Sequence, residues 1–312
     1  MAMSTWIGRT VAAMLALGTV GAFYESAAEA RDARAFTPPG QMVDVGGHRL
    51  HIDCVGTGSP TVVIDAGWGD WSATWSSSVQ PGVAVATRVC TYDRAGYGFS
   101  EPGPLPRTAD RIARELHTLL ERAGVPGPYV IVGHSLGGAH ARVFAHEYPA
   151  EVAGVVLIDS MNPLTPAPPA ADAAESSRGD FFVTLPARVG ALRALAGPLG
   201  LKADLPPSVA GAYVASWVTP RHMQVWMLDE GRAIARSLDQ AHAVTSLGAT
   251  PLIVLSRGLN QDAVHAAEQA ALLELSTNSL QVFAERSGHN VEIDQPAAAV
   301  DAIVRMVDWV RG

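Results

Sequence analysis

"PYVIVGHSLGGAH", residues Pro128–His140, runs from an apolar, β-branched stretch into a string of small residues. That change of composition marks a strand handing over to a helix. A lone serine, Ser135, sits at the junction between Gly133 and Gly137. A sharp strand-to-helix turn holds its central residue in a strained backbone conformation and leaves no room for side chains two positions before and after it, which glycine satisfies. Such a turn lifts the hydroxyl clear of the sheet and aims the free N–H groups of the following helix at the place where negative charge would develop. The five-residue pattern is weak on its own, so its place between a strand and a helix carries the reading of Ser135 as a nucleophile.

Working outward, strands and helices alternate on both sides. "MVDVGGHRLHIDCVG" alternates apolar residues around Gly46-Gly47, a hairpin signal, and "TVVIDAG" (61–67) and "TRVCTYD" (87–93) read as buried strands. Ile112, Leu116, Leu119 and Leu120 fall at helical spacing between Thr108, an N-cap, and Gly124, a stop. "VAGVVLIDS", "TPLIVLSRG" and "SLQVFAE" supply further strands, with helices over residues 263–273 and along the stripe Val300, Ile303, Val304, Val307 and Val310. This alternation specifies an α/β fold with a mostly parallel sheet covered on both faces. Residues 161–248 break it: after the proline-rich "NPLTPAPPA" come helical pieces and no convincing strand, so the stretch is expected to be an inserted helical cap on a core formed by 41–160 and 249–312.

Composition excludes some functions. The chain has 312 residues, 48% apolar and 17% charged, with a net charge of −8 from 22 basic and 30 acidic side chains, and no basic run. That argues against a nucleic-acid partner. At the N-terminus, Arg9 precedes the uncharged stretch Val11–Tyr24, and Ala28-Glu29-Ala30 has the small-x-small form of a cleavage site. Fourteen residues fall short of the roughly 20 that span a bilayer, so residues 1–30 are expected to be an export signal, with a retained membrane anchor as the alternative. Export would place Cys54 and Cys90 in an oxidising compartment. From the residues alone they are either a disulfide or two buried small side chains.

A serine hydroxyl needs a base to accept its proton as it attacks. His289, in a loop between the last strand and the last helix, is the candidate; His140 and His146 read as ordinary helix residues, and His134 as structural. The base needs a carboxylate. Asp159, at the end of "GVVLIDS", is favoured over Asp262, which follows "SRGLNQ" and suits a helix cap; Asp294 is a third option. The oxyanion donors should be the amides of Leu136 and of Trp68, which follows Gly67; Trp71 and Trp75 are expected to pack. No Cys/His pair, His48/His51 included, has zinc spacing, and nucleophilic attack by a serine with its own base needs no metal or organic cofactor, so none is expected.

Together these residues resemble the α/β-hydrolase fold family, in its capped, serine-esterase-like branch. The resemblance runs from about residue 43 to 310 in the order nucleophile, acid, histidine, and "YDRAGYGFS" (92–100) is similar to the branch's D-x-x-G-x-G-x-S loop. It implies eight strands in the order 1-2-4-3-5-6-7-8, which makes the strands of Cys54 and Cys90 neighbours and favours a disulfide. It admits an acid after the sixth or the seventh strand. Where relatives read His-Gly after the third strand this chain has Ala66-Gly67, so a hydrogen bond that steadies the oxyanion loop is missing or replaced. Haloalkane dehalogenases and epoxide hydrolases of this fold use aspartate where Ser135 stands, which disfavours those activities. The expected reaction is hydrolysis of a small-molecule carboxylic ester with an apolar moiety, Phe181, Phe182, Trp217, Met223, Trp226 and Met227 of the cap shaping an apolar pocket. The alternatives are an aminopeptidase, for which Asp229-Glu230 would have to hold an ammonium group, a C–C hydrolase, an acyltransferase, or a non-catalytic binding protein.

Overall fold

The computed structural model describes residues 2–164, 178–201 and 205–312. Eight strands, β1 (Gln41–Asp44), β2 (Arg49–Val55), β3 (Thr61–Asp65), β4 (Val89–Tyr92), β5 (Tyr129–His134), β6 (Val152–Ile158), β7 (Leu252–Arg257) and β8 (Ser279–Ala284), form one sheet in the order 1-2-4-3-5-6-7-8. The first hairpin pairs antiparallel through Asp44 and Arg49, β2 pairs antiparallel with β4, and every later pairing is parallel. The central strands are buried along their whole length, as near-continuous Val/Ile/Leu runs require.

Seven of the helices matter for the site. α1 (Ala2–Ala35) is N-terminal; α2 (Ala109–Arg122) and α3 (Leu136–Glu147) flank β5; α4 (Arg178–Arg188) and α5 (Pro207–Trp217) lie in the insertion; α6 (Ile234–Ala243) precedes β7; and α7 (Ala263–Leu272) follows it. A C-terminal helix, α8 (Pro296–Arg311), buries Ala299, Ala302, Ile303, Met306 and Val307 against the opposite face from α2 and α3, so two separate cores sandwich the sheet. Among the described residues the insertion holds no strand. Part of its proline-rich start, residues 165–170, lies outside the described residues.

The structure corrects the cap boundary. α6 falls within the stretch assigned to the cap, yet Leu238 and Ala241 share one core with α2, α3 and the sheet, and Ser237 Oγ accepts the Ala109 amide at the start of α2. Its apolar face packs with α2 and α3, whereas Tyr213, Trp217 and Trp226, earlier in the insertion, line the cavity at Ser135.

α1 is also longer than its apolar stretch suggested. At 34 residues it continues through Ala28-Glu29-Ala30, and its N-terminal part exposes Trp6, Met14, Leu17 and Phe23. Its C-terminal part docks on the insertion, where Arg193 binds Glu25 and Asp32 at 2.6–2.9 Å. By length and composition alone this helix could cross a membrane.

Cys54 and Cys90 face one another across β2 and β4 and form a disulfide. The bond closes a 36-residue separation, and a loop of that size stabilises the folded chain by about 3–4 kcal/mol in the chain-entropy account. Replacing both cysteines by alanine is therefore expected to lower the unfolding free energy by about 2–4 kcal/mol in urea titrations, and an unchanged midpoint would show that the unfolded chain is not constrained by this link.

Candidate active site

β5 ends in the turn that its glycines permit. Ser135 has φ 53° and ψ −120°, and α3 starts at the next residue. A Cβ on Gly133 would collide with the Gly137 carbonyl, and one on Gly137 with the carbonyl of Asp65. The turn presses β5, α3 and the end of β3 into contact, which only glycines allow. Gly67, on the loop after β3, passes so close that a Cβ there would lie 3.3 Å from Ser135 Cβ.

Three segments far apart in sequence meet at the hydroxyl. Ser135 Oγ lies 3.0 Å from His289 Nε2, and His289 Nδ1 lies 2.6 Å from Asp159 Oδ2. The His289 loop is closed by Asp294, which accepts the Gly288 amide, and by His134, whose Nε2–H donates to the His289 carbonyl. That donation fixes the His134 tautomer, and burial next to His289 lowers its pKa to about 4, so it stays neutral. Asp294 and His134 thus hold the loop and do not serve the hydroxyl.

Asp159 turns out to be held by more than the histidine. It follows β6 with φ 40°, the second strained non-glycine at this end of the sheet. Besides His289 Nδ1–H, it accepts the Arg257 amide (3.1 Å), the Arg257 guanidinium (3.3 Å) and His265 Nε2–H (2.8 Å). Burial works to raise its pKa, but the bonds from His289 and Arg257 and the nearby His265 keep it below the usual carboxylate range. It is an ionised acceptor. Asp262 does something else: its side chain accepts the His265 amide as the N-cap of α7. The competing position is therefore a cap, and the capped first turn delivers His265 to Asp159. Neither His265 nor Arg257 was singled out from sequence; the weak signal was a basic residue on each side of "GLNQD".

The two expected oxyanion donors belong to the two segments that meet at Ser135, the start of α3 and the loop after β3. Leu136 is the first residue of α3, where amides have no intrahelical acceptor. Trp68 shares the wall of a cavity of about 170 Å³ with Gly67, Ser135 and His289. Its indole N–H binds the Trp226 carbonyl at 2.9 Å, tying this loop to the insertion. Trp71 and Trp75 are buried.

The absent His of the oxyanion loop has a replacement. Arg94, from the "YDRAGYG" loop, is fully buried and donates to the carbonyls of Ala66 (2.7 Å) and Gly67 (2.8 Å), to Asp65 (2.7 Å), and through two nitrogens to Glu230 at 3.0 Å each. One guanidinium thus fixes the oxyanion loop and joins it to the insertion. The pairing also corrects the expectation for Asp229-Glu230: Glu230 is consumed by Arg94 and Asp229 accepts from Gln224, so neither awaits a ligand. The apolar pocket needs correction too. Trp217 and Trp226 face the cavity beside Ser135, whereas Phe181, Phe182 and Met227 are exposed on the insertion's surface.

This strand order, with a glycine-flanked serine after β5 and a histidine after β8, decides the fold. The chain has the α/β-hydrolase fold. The model of that fold matches residues 60–195. The chain is 27% identical over 248 residues to the uncharacterized protein YqjL of Bacillus subtilis, covering 77% of this chain and 81% of that one. It is 34% identical over 132 residues to a probable transporter, efuK, of Hormonema carpetanum, covering 40% of this chain. It spans only 19% and 29% of the lengths of two curated relatives, efuK and a Schizosaccharomyces pombe protein. Among solved structures it resembles a putative epoxide hydrolase from Pseudomonas aeruginosa (TM-score 0.68, 18% identity, 87% of this chain and 95% of that one). It also resembles the haloalkane dehalogenase DatA from Agrobacterium tumefaciens (TM-score 0.65, 18% identity, 86% and 96%). These likenesses concern the fold.

Arg94→Met leaves Asp65 and Glu230 as buried charges without their cation, and is expected to lower stability by about 3–5 kcal/mol. Arg94→Met combined with Glu230→Gln should recover part of that loss in the same urea titrations; no recovery would mean the guanidinium matters only through the loop carbonyls.

Proposed function

We propose that this α/β-hydrolase-fold protein is a serine hydrolase acting on carboxylic esters. The observation that carries the reading is the 3.0 Å approach of Ser135 Oγ to His289 Nε2, with His289 Nδ1–H donated to an ionised Asp159. In this reading Ser135 attacks the ester carbonyl as His289 takes its proton. The oxyanion that forms is held by the amides of Leu136 and Trp68. His289 returns the proton to the departing alcohol, and water repeats the sequence on the acyl-enzyme. Asp159 fixes the tautomer of His289 and stabilises its cationic form, while His265 and Arg257 keep the carboxylate ionised and oriented. Arg94 acts one step away, as a positioning residue for the oxyanion loop.

Structural neighbours are named a putative epoxide hydrolase and a haloalkane dehalogenase, but alkyl transfer to an enzyme carboxylate followed by its hydrolysis has no counterpart at a serine, whose alkyl product would be a stable ether. A hydroxyl suits acyl transfer. The N-terminal apolar helix supports export or anchoring to a membrane.

Ser135→Ala is expected to abolish turnover of p-nitrophenyl acetate and p-nitrophenyl octanoate and labelling by a fluorophosphonate, with the fold retained by circular dichroism; residual turnover at the parent rate would refute the assignment. Asp159→Asn should lower kcat about 10³- to 10⁴-fold, whereas Asp262→Asn should lie within about twofold of the parent, because it touches only the cap of α7. Equal losses in the two variants would reopen the identity of the acid.

A further inference from the structure

The cavity beside Ser135 has an acidic end that the ester chemistry leaves idle. It lies between the oxyanion loop, which contributes Asp70, and a short helix after His289, Val291–Asp294, which contributes Glu292. Glu292 is 2% exposed, and its Oε2 has no hydrogen-bond partner. Asp70 gives one oxygen to the Thr74 hydroxyl at 2.7 Å, and the other, Oδ1, is likewise buried without a partner. The nearest ring nitrogen, His134 Nε2, lies 3.7 Å from Glu292 Oε2, but its proton is committed to the His289 carbonyl and the ring is neutral. Arg94 is engaged elsewhere, so no cation of the described site answers these two carboxylates.

Buried carboxylate oxygens without donors are costly, and two of them in one cavity wall call for a donor that the chain itself does not supply. The energetics agree. Burial, with the charge of Glu292, pushes Asp70 up to about 7, and burial pushes Glu292 to about 7 as well. A cation between them would relieve both. The rest of the wall has the matching chemistry: Trp68, Tyr213, Trp217 and Trp226 line the same cavity, with the Trp226 ring tilted against Trp68 at 5.7 Å and against Trp217 at 5.2 Å between centroids. Aromatic faces attract a cation that carboxylates also bind, and the Tyr213 hydroxyl feels both acids.

We propose that Asp70 and Glu292, with this aromatic wall, form a subsite for a protonated amine carried by the substrate a few bonds from the carbonyl that Ser135 attacks. The inference rests on the ester-hydrolase reading for what happens at Ser135, but the subsite stands on its own residues. It makes the substrate class an amino-substituted ester, in which the ammonium group pairs with the Glu292 and Asp70 carboxylates while its carbon substituents meet the indole faces. A cavity of about 170 Å³ accommodates a small alkylammonium group.

The test compares substrates that differ by one charge. The leaving-group side is read by S-[2-(dimethylamino)ethyl] thioacetate against S-(3-methylbutyl) thioacetate, and the acyl side by p-nitrophenyl 6-aminohexanoate against p-nitrophenyl heptanoate. In at least one pair kcat/KM should favour the amine about 10- to 100-fold, the range for hydrogen bonds to charged groups. Asp70→Asn and Glu292→Gln should each cut that ratio about tenfold. Ratios near one in both pairs would overturn the proposal, as would ratios that survive both substitutions. Calorimetric titration of Ser135→Ala with isobutylammonium, against isobutanol, reads the subsite without turnover: saturable binding of the amine alone, lost in Ser135→Ala/Glu292→Gln, supports it, and equal or absent binding of both counts against it. Amine binding without hydrolysis of any ester would sink the hydrolase reading and leave the subsite standing. Hydrolysis without amine preference or binding would do the reverse.

Discussion

One backbone turn governs the geometry of the whole strand-end surface. Ser135 sits at φ 53°, a conformation that costs a non-glycine residue about 1–3 kcal/mol and persists only where its surroundings over-determine it. Those surroundings are specific. The Ser135 amide donates to the Ile158 carbonyl, its own carbonyl accepts the amides of Gly138 and Met161, and the glycines at 133 and 137 let three backbones touch. The same turn sets the start of α3, hence the Leu136 amide, and brings the loop at Gly67 against the hydroxyl. Asp159, one strand over, repeats the device with φ 40°, so two neighbouring parallel strands each project a strained polar residue from their carboxyl ends toward the loop that carries His289.

Charge is distributed around this point by sign. Toward β7, Asp159 is surrounded by donors from His289, His265 and Arg257 and is held ionised. Beneath the oxyanion loop, Arg94 is matched by Asp65 and Glu230, both dry. Asp70 and Glu292, both in the cavity wall beside Ser135, each keep a buried oxygen without a hydrogen-bond partner. Buried charge is tolerated when paired, and the contrast between two satisfied clusters and one unsatisfied pair is what gives the third its meaning.

The alternation of strands and helices is legible from residue 41 onward because both periods are local: a β-branched run or a helical stripe declares itself within ten residues. Ser135 is legible for the same reason, its flanking glycines being part of the same turn. His289 and Asp159 follow from position, since each ends or follows a strand. What escaped reading depends on partners remote in the chain. Arg94 looked like one letter of a loop motif, yet its acceptors lie 27 to 136 residues away. Neither Asp70 nor Glu292 belongs to a pattern that stands out in the sequence; only folding puts them in one cavity. α6 has an amphipathic pattern that suits a cap or a core equally, and contact with α2 and α3 decides between them. The length of α1 was hidden because its polar C-terminal third is stabilised by Arg193 and has no apolar stripe to announce it.

The guanidinium of Arg94 also bears on how molecules reach the serine. It roots the segment containing Glu230 to the oxyanion loop with charged hydrogen bonds in a dry environment, and the Trp68 indole adds a second tether at Trp226. Hinging that segment upward would strand an unpaired charge on each side of the gap. A molecule that passes this segment therefore meets a roof pinned to the oxyanion loop, so the shape of the cavity there is set by loop and insertion together, and a change that loosens Arg94 or Trp68 would alter both walls at once.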